Sequence, residues 1–183
     1  MRLARGLVQV YTGNGKGKTT AALGLAVRAL GQGLNVCFLQ FLKGGTPTGE
    51  QRGAEALLPA MRWETFGVDR RQTAKTREWW LSGWTEADRA AAQEGLALGK
   101  DIVQSGEYDL VVLDELCVAL EGGLVDLGQV LELLAARGEH VEVVITGRGA
   151  PPGLIAAADL VTEMREVKHP FRNGVSARRG IEY

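Results

Sequence analysis

The stretch Tyr11-Thr12-Gly13-Asn14-Gly15-Lys16-Gly17-Lys18-Thr19-Thr20 most restricts what this chain can become. The apolar run Leu7 to Tyr11 before it reads as a strand, and Ala21 to Leu30 after it reads as a helix. Strand, glycine-rich loop, Gly-Lys-Thr and helix in that order form a phosphate-binding loop. The glycines let successive backbone N–H groups turn toward one point and let an anion approach. The helix start adds free N–H donors and a positive dipole end. Lys18 brings a full charge to a phosphate chain, and Thr19 places a hydroxyl where Mg²⁺ would sit. Lys18 is expected as an exposed loop lysine whose removal leaves the fold intact. The general motif asks for glycine at its first position, where this chain has Thr12. Either the backbone there never needs a glycine conformation, or the nucleotide lies in an unusual way. The sequence leaves both open.

The rest of the chain supplies a domain around that loop. At 183 residues it reads as one domain, 1–183, with a substantial core. Ala22, Leu25, Ala26, Ala29 and Leu30 recur at helical spacing and should face a sheet. Gly24 among them suggests close backbone packing, and Gly31-Gln32-Gly33 ends the helix. Asn35 to Phe41 is a second strand, apolar almost throughout, as a buried parallel sheet requires. A polar loop from Lys43 to Glu50 precedes a short helix, Gln51 to Leu58. Met61 to Phe66 is a weaker third strand. Gly67 to Thr76 is charged and irregular, a candidate lid over a substrate. Thr85-Glu86-Ala87-Asp88 reads as a capping box opening a helix to about Val103, with Ala87, Ala91, Leu96, Leu98 and Ile102 as its apolar positions. Leu110 to Leu113, Val141 to Ile145 and Leu160 to Met164 are further strands, and Val125 to Ala136 is an amphipathic helix ending at Gly138. Strands alternating with helices predict an α/β fold: a mostly parallel central sheet of about six strands with helices on both faces.

Composition narrows the partners. Lys plus Arg (21) nearly balances Asp plus Glu (22), which argues against a nucleic-acid binder driven by global charge. No apolar run is long enough to span a membrane or to act as a signal peptide. Cys37 and Cys117 sit in or beside apolar runs, as small core residues of a reduced, cytoplasmic protein do.

Two more constellations carry chemistry. Leu110-Val111-Val112-Leu113-Asp114-Glu115 is an apolar strand ending in two acids, which can hold Mg²⁺ beside a phosphate loop. If the strand continues, the two acids point to opposite sides and one of them faces the metal directly. Ile145-Thr146-Gly147-Arg148-Gly149 ends the next strand, where an α/β sheet places its ligand crevice. Arg148 there is a phosphate or substrate clamp, or equally a surface turn arginine. The tail from Val167 through Lys168, His169, Phe171, Arg172, Arg178 and Arg179 to Tyr183 is basic and could close over a ligand. His169 before proline reads as a structural hydrogen-bonder. Trp79, Trp80 and Trp84 read as core or interface aromatics rather than a cofactor platform.

The loop Thr12 to Ala22, Gln40-Phe41-Leu42-Lys43-Gly44, Val111 to Leu116, Ile145 to Gly149, Val167-Lys168-His169 and Gly180-Ile181-Glu182-Tyr183, in this order along nearly the whole chain, resemble the ATP:corrinoid adenosyltransferases. This is the CobA/CobO/BtuR family, which includes cob(I)yrinic acid a,c-diamide adenosyltransferases. Threonine at the first loop position belongs to that family's form of the motif. The resemblance implies a RecA-like P-loop fold, a homodimer, Mg²⁺ with ATP as adenosyl donor, a corrinoid substrate and a flavoprotein reductant as partner. It implies attack of Co(I) on C5′ of ATP and release of triphosphate. It also implies ATP bound in reverse, with the γ-phosphate where the α-phosphate usually lies. Carried onto matching positions, Gly13, Asn14, Gly15, Lys16, Gly17, Lys18, Thr19 and Thr20 hold the nucleotide, Asn14 touching the ribose. Thr19 and Glu115 hold the metal, and Lys18, Glu115 and Arg148 are the candidate catalytic residues. Relatives carry a Phe and a nearby Trp in the loop after the third strand that help displace the lower cobalt ligand. Here that loop reads Phe66-Gly67-Val68-Asp69-Arg70-Arg71, and Trp79 or Trp80 would have to substitute.

The residue set suits this chemistry. Co(I) has no proton to remove, so the site can do without a general base. It needs in-line placement and a stabilised leaving group. Two other readings compete. A RecA-like ATPase or small-molecule kinase acting at the γ-phosphate explains Lys18, Thr19 and the two acids, but not Thr12 or the Lys168-His169 tail. A nucleotide-sensing module without turnover would bind ATP and form no product.

Overall fold

The computed structural model describes residues 2–45, 47–57, 60–69 and 83–181. In chain order the elements are β1 (Val8–Thr12), α1 (Lys18–Gly31), β2 (Val36–Phe41), α2 (Gly49–Leu57), β3 (Met61–Phe66), α3 (Glu86–Ser105), β4 (Leu110–Asp114), α4 (Leu116–Glu121), α5 (Leu127–Ala136), β5 (Glu142–Thr146), α6 (Pro152–Ala157) and β6 (Leu160–Glu163). A 3₁₀ turn, Pro170–Asn173, follows. The six strands lie in the order β3-β2-β4-β5-β1-β6, and every adjacent pair is parallel.

Alternation along the strands divides their side chains between two apolar clusters, one on each face. Cys37, Leu39 and Phe41 of β2, Val111 and Leu113 of β4, and Val143 and Ile145 of β5 join the cluster covered by α3, α4 and α5. Val36 and Phe38, Leu110 and Val112, and Val144 join Ala22, Ala26 and Ala29 of α1 on the other. Both faces are therefore dry, and the central strands can be apolar almost throughout. Cys37 and Cys117 are buried free thiols in the first cluster. Burial pushes both up to about 12.

The expected helix register of α1 holds, with Leu25 and Leu30 packed against the same cluster. Gly24 corrects the reading of close packing: it is exposed, and a Cβ there would meet nothing within 4 Å. The capping box is present as expected. Asp88 N donates to Thr85 Oγ1 at 3.3 Å and Thr85 N donates to Asp88 Oδ2 at 2.8 Å. The buried face of α3 differs from the apolar positions read off the sequence. Ala87 is exposed and Ala91 and Leu98 are half-buried, whereas Ala92, Gly95, Leu96, Gly99, Ile102 and Val103 face the core. The reason is crowding by aromatic rings. A Cβ at Gly95 would lie 2.7 Å from Phe66 Cγ and 3.0 Å from Phe41 Cε1. Small residues, not large apolar ones, fit the closest approach of helix to sheet.

Two short helices, α4 and α6, escape sequence periodicity because six residues scarcely complete a pattern. Of the expected lid, residues 67–69 are described and the rest lies outside the described residues, as do Trp79, Trp80, Glu182 and Tyr183. Trp84 is exposed at 37% and rests against Gly122 at the end of α4. Among the described residues, no helix is long and apolar enough to cross a membrane.

Candidate nucleotide site

Strand order places the carboxyl end of β5 between those of β1 and β4. The loop after β1, the acids after β4 and the Thr146–Arg148 turn after β5 therefore meet at one edge of the sheet. Thr12 answers the question its motif position raised. It is the last residue of β1, in extended backbone, and its Oγ1 accepts a hydrogen bond from Ala150 N at 3.2 Å. The left-handed turns fall at Gly13 (φ 93°) and Gly17 (φ 114°). A glycine conformation is simply not required at position 12.

The loop is held from the side by the chain leaving β6. Met164 N donates to Thr12 O at 2.8 Å, and Gly15 N donates to Met164 O at 2.6 Å. A Cβ on Gly13 or Gly15 would lie 2.5 or 2.7 Å from that same Met164 carbonyl. These two glycines are thus needed for contact with the β6 exit, and the N–H of Gly15 is already engaged.

Lys18 is also not the exposed lysine expected. It is buried, at 8% exposure, and its Nζ donates to Gly13 O at 2.7 Å and Gly15 O at 2.8 Å. Burial lowers its pKa, the nearby Arg148 adds to that effect, and Glu115 opposes it. A cation held inside its own loop is positioned before any ligand arrives.

The two acids after β4 separate cleanly. The strand ends at Asp114, and Glu115 takes a left-handed backbone at φ 63° that starts α4. The alternation expected of a continuing strand therefore does not apply. Asp114 is fully buried, and accepts hydrogen bonds from Gln40 Nε2 at 2.9 Å and Thr146 Oγ1 at 2.6 Å. Glu115 is half-buried. Desolvation and the neighbouring Asp114 raise its pKa, against the pull of Lys43, Lys18 and Arg148. Lys43, whose charge acts on Glu115, is a site residue that neither the phosphate loop nor the acid pair marks. Its position just past the carboxyl end of β2 was the available signal.

Arg148 is exposed and lines a cavity of about 470 Å³ with Asn14, Glu163, Arg165, Glu166 and Arg172. An adjoining cavity of about 550 Å³ shares Arg148, Glu166 and Arg172 and adds His169 and Phe171. The tail thus does flank the loop. His169 behaves as a local cap, its Nδ1 accepting from Phe171 N at 3.2 Å. Lys16 and Thr20 are set apart from this group. Lys16 Nζ donates to Ile181 O at 3.0 Å in the tail, and Thr20 is exposed on the first turn of α1.

Among the described residues, no group of three or more His, Cys, Asp or Glu could cage a metal ion. Mg²⁺ brought by a nucleotide needs no such cage, since it takes one or two protein oxygens and completes its shell with phosphates and water. Thr19, half-buried in the first turn of α1, carries its hydroxyl next to Lys18 in sequence.

A parallel sheet with a lysine-bearing glycine loop at one strand end and an acid two strands away defines a nucleotide-binding α/β protein of the phosphate-loop type. Residues 4–183 match the family model described as ATP:corrinoid adenosyltransferase BtuR/CobO/CobP. The chain is 44% identical over 179 residues to the corrinoid adenosyltransferase CobA of Salmonella typhimurium, covering 98% of this chain and 86% of that one. It is 41% identical to the corrinoid adenosyltransferase of Escherichia coli K12, with the same shares covered. It is 38% identical to that of Pseudomonas aeruginosa, covering 98% and 84%. The chain belongs to the ATP:corrinoid adenosyltransferase family.

Proposed function

We propose that this chain transfers the 5′-deoxyadenosyl group of ATP to the Co(I) centre of a corrinoid substrate and releases inorganic triphosphate. The observation that carries this reading is the family match over residues 4–183, joined to a site built for leaving-group stabilisation. Lys18 is held in the loop by Gly13 O and Gly15 O, and Glu115 stands among Lys18, Lys43 and Arg148. Attack of the cobalt on C5′ forms the Co–C bond and breaks C5′–O5′, so the electron pair leaves with the triphosphate. No proton moves, and no general base is asked for.

In this reading the loop, Gly13 through Thr20, receives the triphosphate with Lys18 as its charge. Asn14 meets the ribose, and Arg148 contacts nucleotide or corrinoid. Thr19 and Glu115 hold Mg²⁺, which would neutralise charge on the departing triphosphate. The single-domain reading is supported by one sheet that runs from β1 to β6. A homodimer is supported by β6, an edge strand with all four residues exposed, Leu160 and Val161 at 42% and 40%. A cytoplasmic location is supported by the two free, buried thiols. A flavoprotein reductant would supply the electrons for Co(I).

Product analysis tests the reaction. Protein, Mg-ATP and chemically reduced cobalamin should yield a light-sensitive cobalt–carbon product and intact triphosphate in equal amounts. ADP and phosphate, formed at a rate indifferent to the corrinoid, would instead establish the ATPase or kinase reading. Tight ATP binding with no product would establish the sensing module.

A further inference from the structure

Glu115 adopts a backbone conformation, φ 63°, that a residue with a Cβ enters at a cost. Something must hold it there. The Glu115 carbonyl caps α4, accepting from Val118 N at 3.1 Å and Ala119 N at 3.2 Å, and its amide is held from the other side. Thr146, at the end of β5, is fully buried. Its Oγ1 accepts from Glu115 N at 3.0 Å and donates to Asp114 Oδ1 at 2.6 Å. Gln40 Nε2 donates to the other oxygen, Asp114 Oδ2, at 2.9 Å. The three residues lie on adjacent strands, Asp114 and Thr146 ending β4 and β5 and Gln40 next to last in β2, with Gln40 opposite Asp114 in register and Leu113 opposite Ile145. The hydroxyl can accept from the Glu115 amide because its own proton is committed to Asp114. The carboxylate thus orients the hydroxyl, and the hydroxyl orients the backbone.

We infer that Thr146 and Asp114 are positioning residues for Glu115, a buried clamp that fixes the left-handed turn and so sets the Glu115 carboxylate among Lys18, Lys43 and Arg148. Asp114 touches neither nucleotide nor metal in this arrangement, since it is closed off beneath the site. This rests on the reading of Glu115 as the acid that holds Mg²⁺.

Calorimetric binding of ATP, with and without Mg²⁺ and with no corrinoid present, tests it apart from turnover. Thr146→Val removes both hydrogen bonds at nearly constant shape. It should weaken ATP binding in Mg²⁺ by roughly tenfold or more, the usual size for a group that orients a metal ligand, and leave Mg²⁺-free binding within about twofold. Thr146→Ser keeps the hydroxyl and should stay within about twofold of wild type in both conditions. Wild-type behaviour of Thr146→Val, or equal damage by Thr146→Ser, overturns the proposal. Asp114→Asn carries the test even where Thr146→Val does not fold. Its remaining oxygen still accepts from Thr146. The Gln40 amide can turn over to present Oε1, which has no partner among the described residues, to the new N–H. Mg²⁺-dependent binding should stay within about twofold, and a tenfold loss would make Asp114 a ligand itself. Glu115→Gln in the same titration separates the two failures. If it leaves Mg²⁺ dependence unchanged, the metal reading of Glu115 falls and the inference with it. If it alone weakens binding, only the clamp falls.

Discussion

β4 and β6 both end at the nucleotide crevice, yet they reach it on opposite terms. Every residue of β4 is buried, down to Asp114 at 0%. Every residue of β6 is exposed. At the end of β4 the buried charges are held by hydrogen bonds: Asp114 by Gln40 and Thr146, and nearby Lys18 by Gly13 and Gly15. At the end of β6 charges of both signs, Glu163, Arg165, Glu166 and Arg172, line open cavities. An ion pair there, Arg172 Nη2 to Glu166 Oε1 at 2.6 Å, has the arginine 76% exposed. A charge in a dry, fixed place acts strongly and is costly to misplace, whereas a charge in water is screened and adaptable. On the proposed function the dry end would take the reacting triphosphate and the wet end a large substrate that must enter and leave.

Variants can break or sharpen this contrast. The largest effect is expected at Lys18. Lys18→Ala removes a fixed electrostatic stabiliser and should lower turnover by about two orders of magnitude or more. It also strips the donor from two loop carbonyls, so the melting temperature should fall, unlike that of an exposed-lysine variant. Near-normal turnover by a folded Lys18→Ala protein would dissolve the distinction between the two ends. Next is Glu115→Gln, which should raise the Mg²⁺ concentration for half-maximal turnover by roughly tenfold, read from rate against metal concentration. An unchanged requirement would mean that phosphate and water alone hold the ion.

The wet end should respond more gently. Arg172→Ala breaks an ion pair whose arginine is exposed and whose Glu166 is half-buried, worth about 1 kcal/mol, so melting should hardly change. KM for one substrate should rise several-fold with kcat intact, the mark of lost uniform binding. A collapse of kcat would place chemistry at the tail and reverse the comparison. The smallest effect is a control on global stability. Gly24 lies exposed on α1 with free space around it, so Gly24→Ala should stabilise the protein by about 1 kcal/mol in thermal or denaturant unfolding. Kinetics should be unchanged if site geometry, rather than overall stability, sets the rate. Gly95→Ala is its opposite. The crowding by Phe66 and Phe41 predicts a loss of about 1–3 kcal/mol.

What the amino-acid order determined by itself was whatever depends on local spacing. Glycine, lysine and threonine between a strand and a helix specify the phosphate loop. Apolar runs of strand length specify a buried parallel sheet, and Thr85 with Asp88 specifies the start of α3. The resemblance to the adenosyltransferases was equally legible, because its motifs follow one another along the chain. Other features needed distant segments brought together. That Lys18 is enclosed, that Gly13 and Gly15 make room for Met164, and that Ala92, Gly95 and Gly99 rather than Ala87 and Ala91 face the core all follow from neighbours far away in sequence. The division of labour between Asp114 and Glu115 is the clearest case. Side by side in sequence they are equivalent carboxylates. The end of β5, inserted between β4 and β1, gives one of them a threonine hydroxyl and seals it in. The same hydroxyl bonds the backbone of the other, which turns away from the strand. Burial and hydrogen-bond partners, which spacing does not encode, set them apart.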